Sequence, residues 1–277
     1  TLPVSILDDL QPVDIEEYLS FLTYYEKDGQ IYQNHEEGKA RKLATLNTFF
    51  GYFHKKEMIQ KNAPSVVDVP RVKEKNIIRL DANEVAQLID NIESGEKLTK
   101  QQKVWHERNK ARDLAIVVTL LGTGVRVTEL VGLDLSDLDF DNGAMRVIRK
   151  GGNEDIVYFG EETEEMLRNY LDERMKMTPA PGHENALFIS QNNTRITVRS
   201  VERLVKKYAS TATVKKITPH KLRSTYGTAL YQETGDIYLV ADVLGHKNVN
   251  TTRKHYAAMK EENKRKAANI VQLREKE

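Results

Sequence analysis

From residue 63 to 78 the sequence runs APSVVDVPRVKEKNII, with two prolines and no helical period, between segments that keep one. Proline removes a backbone donor and disfavours helix in the residue before it, so this stretch reads as a linker. A chain of 277 residues is long enough for two units of ordinary size, here residues 1–62 and 79–277. No apolar run approaches the ~18 residues that a membrane-crossing helix needs. Cysteine is absent, which leaves nothing to argue for secretion or a disulfide framework. The opening Thr-Leu-Pro-Val is not a signal peptide and lacks a methionine, as in a truncated or processed chain.

The periodic segments are mostly helical. Residues 13–26 carry apolar side chains at helical spacing after Asp14, which suits an N-cap. In EEGKARKLATLNTFFGYFHK, residues 36–55, an apolar stripe of Leu43, Leu46, Phe49, Phe50 and Phe53 predicts an amphipathic helix. Asp81 and Glu84 have capping-box spacing at the start of the second unit. A helix over 100–121 ends in LAIVVTLLGTG, whose glycines are stop signals. M-R-V-I-R and D-I-V-Y-F flank Lys150-Gly151-Gly152-Asn153 as a hairpin. Helices follow near 160–177, 197–209, 219–234, 236–244, 248–258 and 260–273, with short strand candidates at Leu187–Ile189 and Arg195–Ile196. The fold class is mainly α with a small β-sheet.

Six polar residues stand in an order that suits chemistry on a phosphodiester: Arg126, Lys150, His220, Arg223, His246 and Tyr256. Arg126, in T-G-V-R-V-T-E-L, sits at a helix start, where a guanidinium adds to the positive end of the helix and suits a phosphate. Glu129 lies three residues on, on the same face, and suits a holding role; a plain surface ion pair fits the same spacing. Lys150 is at the turn of the hairpin, where an ammonium can donate a proton to a departing oxygen, although a lone turn lysine is unremarkable. Arg149 is its neighbour, set aside in favour of the turn position. His220 and Arg223, in H-K-L-R, share a face of a helix that opens with Thr218 as N-cap and Pro219 in the first turn, and such a pair can cradle a phosphate. His246 follows Leu244-Gly245 at a helix junction. Tyr256 ends K-H-Y beside His255, which spacing alone does not separate from the site, and it is one of twelve tyrosines.

Net charge is only +1, but its distribution is uneven. Between Arg199 and Arg223 eight basic residues face one acid, Glu202, and a second group comprises Lys39, Arg41, Lys42, Lys55 and Lys56. Charge runs are usually solvated faces; two in separate units suggest a clamp on a polyanion. There is no H-E-x-x-H, no phosphate-binding G-x-x-x-x-G-K-[ST] and no G-x-S-x-G. No metal or other cofactor is implied.

Taken together, T-G-V-R-V-T-E-L, the hairpin lysine, H-K-L-R, L-G-H and K-H-Y resemble the tyrosine site-specific recombinases of the phage integrase family, from about residue 80 to the end. The preceding segment is similar to the helical core-binding domain of Xer-type and transposon integrases, with a short start. The resemblance implies a core-binding DNA-binding domain over 1–62, the linker 63–78, and a mixed α/β catalytic domain over 79–277, closing on DNA as a C-shaped clamp. It implies that Tyr256 attacks the scissile phosphate to give a 3′-phosphotyrosyl link, and that strand exchange passes through a Holliday junction. Arg126 and Arg223 would hold the non-bridging oxygens and Lys150 would protonate the leaving 5′ oxygen. His246 would donate a hydrogen bond, and His220 would position the tyrosine or accept its proton. Arg41, Lys42, Arg199, Arg203 and Lys206 are the candidate DNA contacts.

The implied partner is double-stranded DNA with a specific site, bound by four copies. A tail helix with Ala267, Ile270, Val271 and Leu273 would dock on the neighbouring copy. No membrane is involved, and the expected place is the cytoplasm, at a bacterial or archaeal nucleoid. The setting is Xer-like or that of a mobile element. A type IB topoisomerase uses a similar residue set, but the compact size and short tail favour the recombinase. A DNA-binding relative without catalysis would not need all six residues, and a helical protein-interaction module leaves their order unexplained.

Overall fold

Pro12 has the fixed backbone that suits a first helical turn, and it starts α1 (Pro12–Phe21). Gln11, not Asp14, is its N-cap; Asp14 lies in the first turn and its carboxylate accepts the Gln11 amide at 2.7 Å. The structure, a computed structural model, describes residues 4–71, 78–246 and 249. The chain divides into two units, Thr1–Asn76 and Ile77–Glu277.

In the first unit the helix expected over 13–26 stops early. Tyr24–Lys27 (β1) pairs antiparallel with Gln30–Gln33 (β2). Asp28 and Gly29 between them both have positive φ, 55° and 71°, the conformation of a tight hairpin turn. Tyr25 stacks on Tyr32 at 5.3 Å. Aspartate-glycine between aromatic residues therefore overrides the helical spacing. The next helix, α2 (Glu36–Lys55), has the expected bounds. It buries Leu43 and Phe50, but Phe49 on the same stripe is half exposed. Ile15, Leu19, Leu22, Leu43 and Val67 make the small core. The stretch expected as linker is partly built into this core. Ala63–Val66 forms a 3-10 turn, and Ala63, Pro64 and Val67 are buried.

The second unit opens on the capping box read from the sequence. The Glu84 amide donates to Asp81 and the Asp81 amide to Glu84, both at 2.9 Å, starting α3 (Ala82–Ser94). The central helix is α4 (Lys100–Thr123). From Leu114 to Leu120 every side chain is buried, and each large apolar one contributes about 1.5–3 kcal/mol by leaving water. Around α4 pack α3, α6 (Glu161–Arg174), α7 (Val198–Ala212) and α8 (Pro219–Thr234). The short α5 (Val127–Gly132) follows α4, and α9 (Ile237–Val243) follows α8. A three-stranded antiparallel sheet has order β3 (Leu138–Asp139), β4 (Ala144–Ile148), β5 (Glu154–Tyr158), with Ile148 opposite Glu154 at the end of the hairpin. Of the further strand candidates only a single bridge forms, Ile189 with Arg195. The helices expected over 248–258 and 260–273 lie outside the described residues.

Candidate active site

Gly124 ends α4 in the left-handed conformation, φ 64°. A Cβ there would stand 2.4 Å from Tyr226 on α8 and 2.9 Å from Leu244 beyond α9. Only glycine lets these three segments approach so closely, and the chain leaves that contact directly into Arg126. Arg126 is the N-cap of α5. The Glu129 side chain folds back on it, accepting the Arg126 amide at 2.8 Å and its guanidinium at 2.7 Å. The far end of α5 is held too, since Arg195 donates to the carbonyls of Val131, Gly132 and Leu133.

The second oxygen of Glu129 accepts a second guanidinium, Arg149, at 3.0 Å. Arg149 is the last residue before the hairpin turn. It also donates to Asp155 at 2.9 Å and to the Val243 carbonyl at 3.2 Å. From α8, Arg223 donates to the Gly124 and Leu244 carbonyls. Arg126 reaches the Gly245 carbonyl at 3.2 Å. Three successive carbonyls, 243 to 245, thus each accept a different arginine. These are groups at and just past the end of α9, where a helix leaves carbonyls without internal partners and concentrates partial negative charge. His246 comes next in the chain, half-buried, its amide donating to Ala241 at 2.8 Å.

The site therefore has a floor of three guanidiniums against two carboxylates, Glu129 and Asp155. Arg223 is buried, Arg149 nearly so, and the Arg126 side chain keeps a third of its surface. A guanidinium has five donors in a fork, so Arg126 retains N–H groups for an anion while it holds Glu129 and Gly245. Among the described residues no group of three or more histidine, aspartate or glutamate side chains is placed to hold a metal ion.

Of the six residues read from the sequence, the structure brings Arg126, Arg223 and the backbone leading into His246 together. Lys150 is exposed at the turn, one residue from Arg149. His220 is exposed in the first turn of α8, on the helix that carries Arg223. Tyr256 lies outside the described residues, as do His255 and the tail with Ala267, Ile270, Val271 and Leu273. Arg149, set aside in the sequence, is a central member of the site. Its signal was position: the last residue before a turn is where a strand can aim a long side chain back into the fold.

The basic run 199–223 is not a single surface. Arg199, Arg203 and Lys206 are exposed on α7. Lys207, however, turns inward to Asp113 at 3.3 Å, beside a buried chain in which Tyr208 donates to Asp113 at 3.0 Å and meets His106 at 3.0 Å. Lys215 donates to Glu84 at 2.5 Å and to the Arg79 carbonyl. Lys207 and Lys215 thus serve the fold and do not add to an exposed phosphate-binding face, while Arg223 is buried within the arginine cluster. In the first unit Arg41 is exposed and Lys42 half-buried on α2.

Residues 78–263 match the phage integrase family. The chain belongs to that family: it is a tyrosine site-specific recombinase, an enzyme that cleaves and rejoins DNA. Tyrosine recombinase XerC of Corynebacterium glutamicum is 33% identical over 223 residues, covering 79% of this chain and 68% of the relative. Tyrosine recombinase XerS of Streptococcus agalactiae is 31% identical over 277 residues, covering 91% and 77%. The crystal structure of XerA recombinase is 27% identical and superposes with a TM-score of 0.58, covering 96% of this chain and 85% of that one. XerH, solved bound to its palindromic difH substrate, is 22% identical with a TM-score of 0.71, covering 95% and 73%, and shares the fold. Among the described residues no helix is long and apolar enough to cross a membrane.

Proposed function

We propose that Arg126 and Arg223 receive the scissile phosphodiester of a double-stranded recombination site, with Tyr256 as nucleophile. The phenol oxygen bonds to phosphorus and the bond to the 5′ oxygen breaks. The leaving oxygen takes a proton from the Lys150 ammonium, and the phenol proton passes to His220. Arg126, Arg223 and a hydrogen bond from His246 stabilise charge on the non-bridging oxygens as it shifts. The 3′-phosphotyrosyl diester keeps the bond energy, so a 5′ hydroxyl can reverse the step without ATP. A hydroxyl from a second duplex exchanges strands instead, and one such exchange leaves a Holliday junction. The observation that carries this reading is the convergence of Arg126 and Arg223 on neighbouring carbonyls, Gly245 and Leu244, directly before His246.

DNA contacts fall to Arg199, Arg203 and Lys206 on α7, supported by their exposure, and to Arg41 and Lys42 in the first unit, which acts as the core-binding domain. Phosphate contacts of this kind make affinity fall steeply with salt. Four copies act on two duplexes, each tail (Ala267, Ile270, Val271, Leu273) docking head-to-tail on the next, a contact that closes into a ring. The Xer relatives favour a bacterial setting, in the cytoplasm at the nucleoid, on a chromosomal or mobile-element site.

The test is covalent capture. The protein is incubated with a library of genomic duplexes, and DNA that remains attached after denaturation is sequenced. A short recurring site is the expected result. Tyr256→Phe should bind that site and leave no DNA attached. An adduct that persists in Tyr256→Phe assigns the nucleophile elsewhere.

A further inference from the structure

We propose that Arg149 is a positioning residue that docks the hairpin bearing Lys150 onto the phosphate pocket. The inference rests on Lys150 as the acid toward the leaving 5′ oxygen.

Strand pairing in the hairpin ends at Ile148 opposite Glu154. Beyond it the chain makes a tight turn, with the Arg149 amide on the Asn153 carbonyl at 2.7 Å and the Gly152 amide on the Arg149 carbonyl at 3.0 Å. Gly151 and Gly152 have φ of 101° and 84°, so the turn depends on backbone that other residues rarely adopt. The outer face of the hairpin is bare: Ile148 is 64%, Ile156 52% and Tyr158 70% exposed. The turn therefore needs an anchor on the inner side, and the Arg149 fork supplies one in three directions. Asp155 lies on the opposite strand of the same hairpin. Glu129 lies on α5, and its other oxygen holds Arg126. The Val243 carbonyl ends α9, three residues before His246. The contact is close, since a Cβ on Gly245 would stand 3.0 Å from the Arg149 guanidinium carbon.

Arg149 thus ties the lysine's turn to the same carboxylate that orients Arg126 and to the segment that presents His246. Its position was that of a bystander in the sequence. In the structure it links the proton donor to the anion holders, and its loss should impair protonation of the leaving group more than recognition of the phosphate.

A leaving group that needs no proton separates these effects. The probe is the duplex recovered by covalent capture, made once with the normal 5′ oxygen at the scissile position and once with sulfur in its place. A thiolate departs without an acid. Lys150→Ala should cleave the oxygen duplex poorly and the sulfur duplex well; if sulfur does not restore it, Lys150 is not the acid and the underlying reading fails. Given that rescue, Arg149→Ala should lose roughly 100-fold on the oxygen duplex, the lower end of what general-acid help contributes, and recover most of it with sulfur. Equal loss on both duplexes, or no loss on either, overturns the proposal. If Arg149→Ala does not melt cooperatively, Arg149→Lys is read in the same way, because it keeps a cation beside Glu129 and removes the fork. Full activity of the lysine variant on the oxygen duplex, or loss that sulfur does not restore, would equally overturn it.

Discussion

Arg126 and Gly245 lie 119 residues apart in sequence, and the guanidinium of one donates to the carbonyl of the other at 3.2 Å. The bond joins the start of α5 to the turn that presents His246, so a side chain suited to holding an anion also sets where its neighbour stands. The Arg126 amide and guanidinium both donate to Glu129 as well, and a third of the side chain stays exposed.

For that reason Arg126→Ala should depress cleavage far more than binding. Loss of one preorganised donor in the transition state is worth about 3–4 kcal/mol, or roughly a 100- to 1,000-fold drop in rate. Single-turnover cleavage and a binding titration on the same duplex give the two numbers. Equal losses in both would make Arg126 an anchoring residue only.

Glu129 has a side chain 2% exposed and bonds two guanidiniums. Glu129→Ala leaves Arg149 with a buried charge short of a partner, and breaking such a pair costs on the order of 3–5 kcal/mol. Denaturant unfolding should therefore show a large drop in stability. Glu129→Gln keeps the shape and one acceptor, so it should lie between the parent and the alanine variant. An alanine variant as stable as the parent would mean that the carbonyls and Asp155 suffice to hold the arginines.

Much of this arrangement is legible in the chain before any coordinates. The capping box at Asp81 and Glu84, the glycine stop at 124 and the hairpin around Lys150 are local signals that depend on a few neighbouring residues, and each appears where its signal lies. Glu129 at three residues from Arg126 is local too. What is not legible is long-range. No spacing rule places Arg149 against Val243, or separates the inward Lys207 from the outward Lys206, because both depend on which side of a strand or helix meets the core. The miss in the first unit has a different origin. Helical spacing and the Asp28-Gly29 turn competed in one stretch, and the turn prevailed because both its residues adopt positive φ and its flanking tyrosines stack.

Gly124 combines a positive φ with two close neighbours. Gly124→Ala should cost about 1–2 kcal/mol for the left-handed backbone alone. The clash with the Tyr226 ring adds to that. Thermal melts of Gly124→Ala, Tyr226→Ala and the double variant separate the two parts, because contacting residues are not additive. The double variant should recover the Tyr226 part and keep the backbone part and the contact with Leu244. Strict additivity would show that the Tyr226 ring moves aside at no cost.

His106 is buried, with Nδ1 on the Tyr208 hydroxyl and Nε2 without a hydrogen-bond partner among the described residues. The Tyr208 hydroxyl gives its own proton to Asp113, so it accepts from His106 Nδ1. Burial pushes the His106 pKa below its ordinary value of 6.5, outweighing the pull of Glu107 and Asp113. The sign follows from linkage. Below 6.5 the unfolded chain takes up a proton that the folded ring resists, so this contribution to stability is complete above 6.5 and declines as pH falls toward the depressed folded value. Stability measured by urea between pH 7.5 and 5 should decline with acidification, and His106→Gln, which cannot titrate, should show a shallower slope over that window. Parallel slopes for the two proteins would assign the acid sensitivity to other groups.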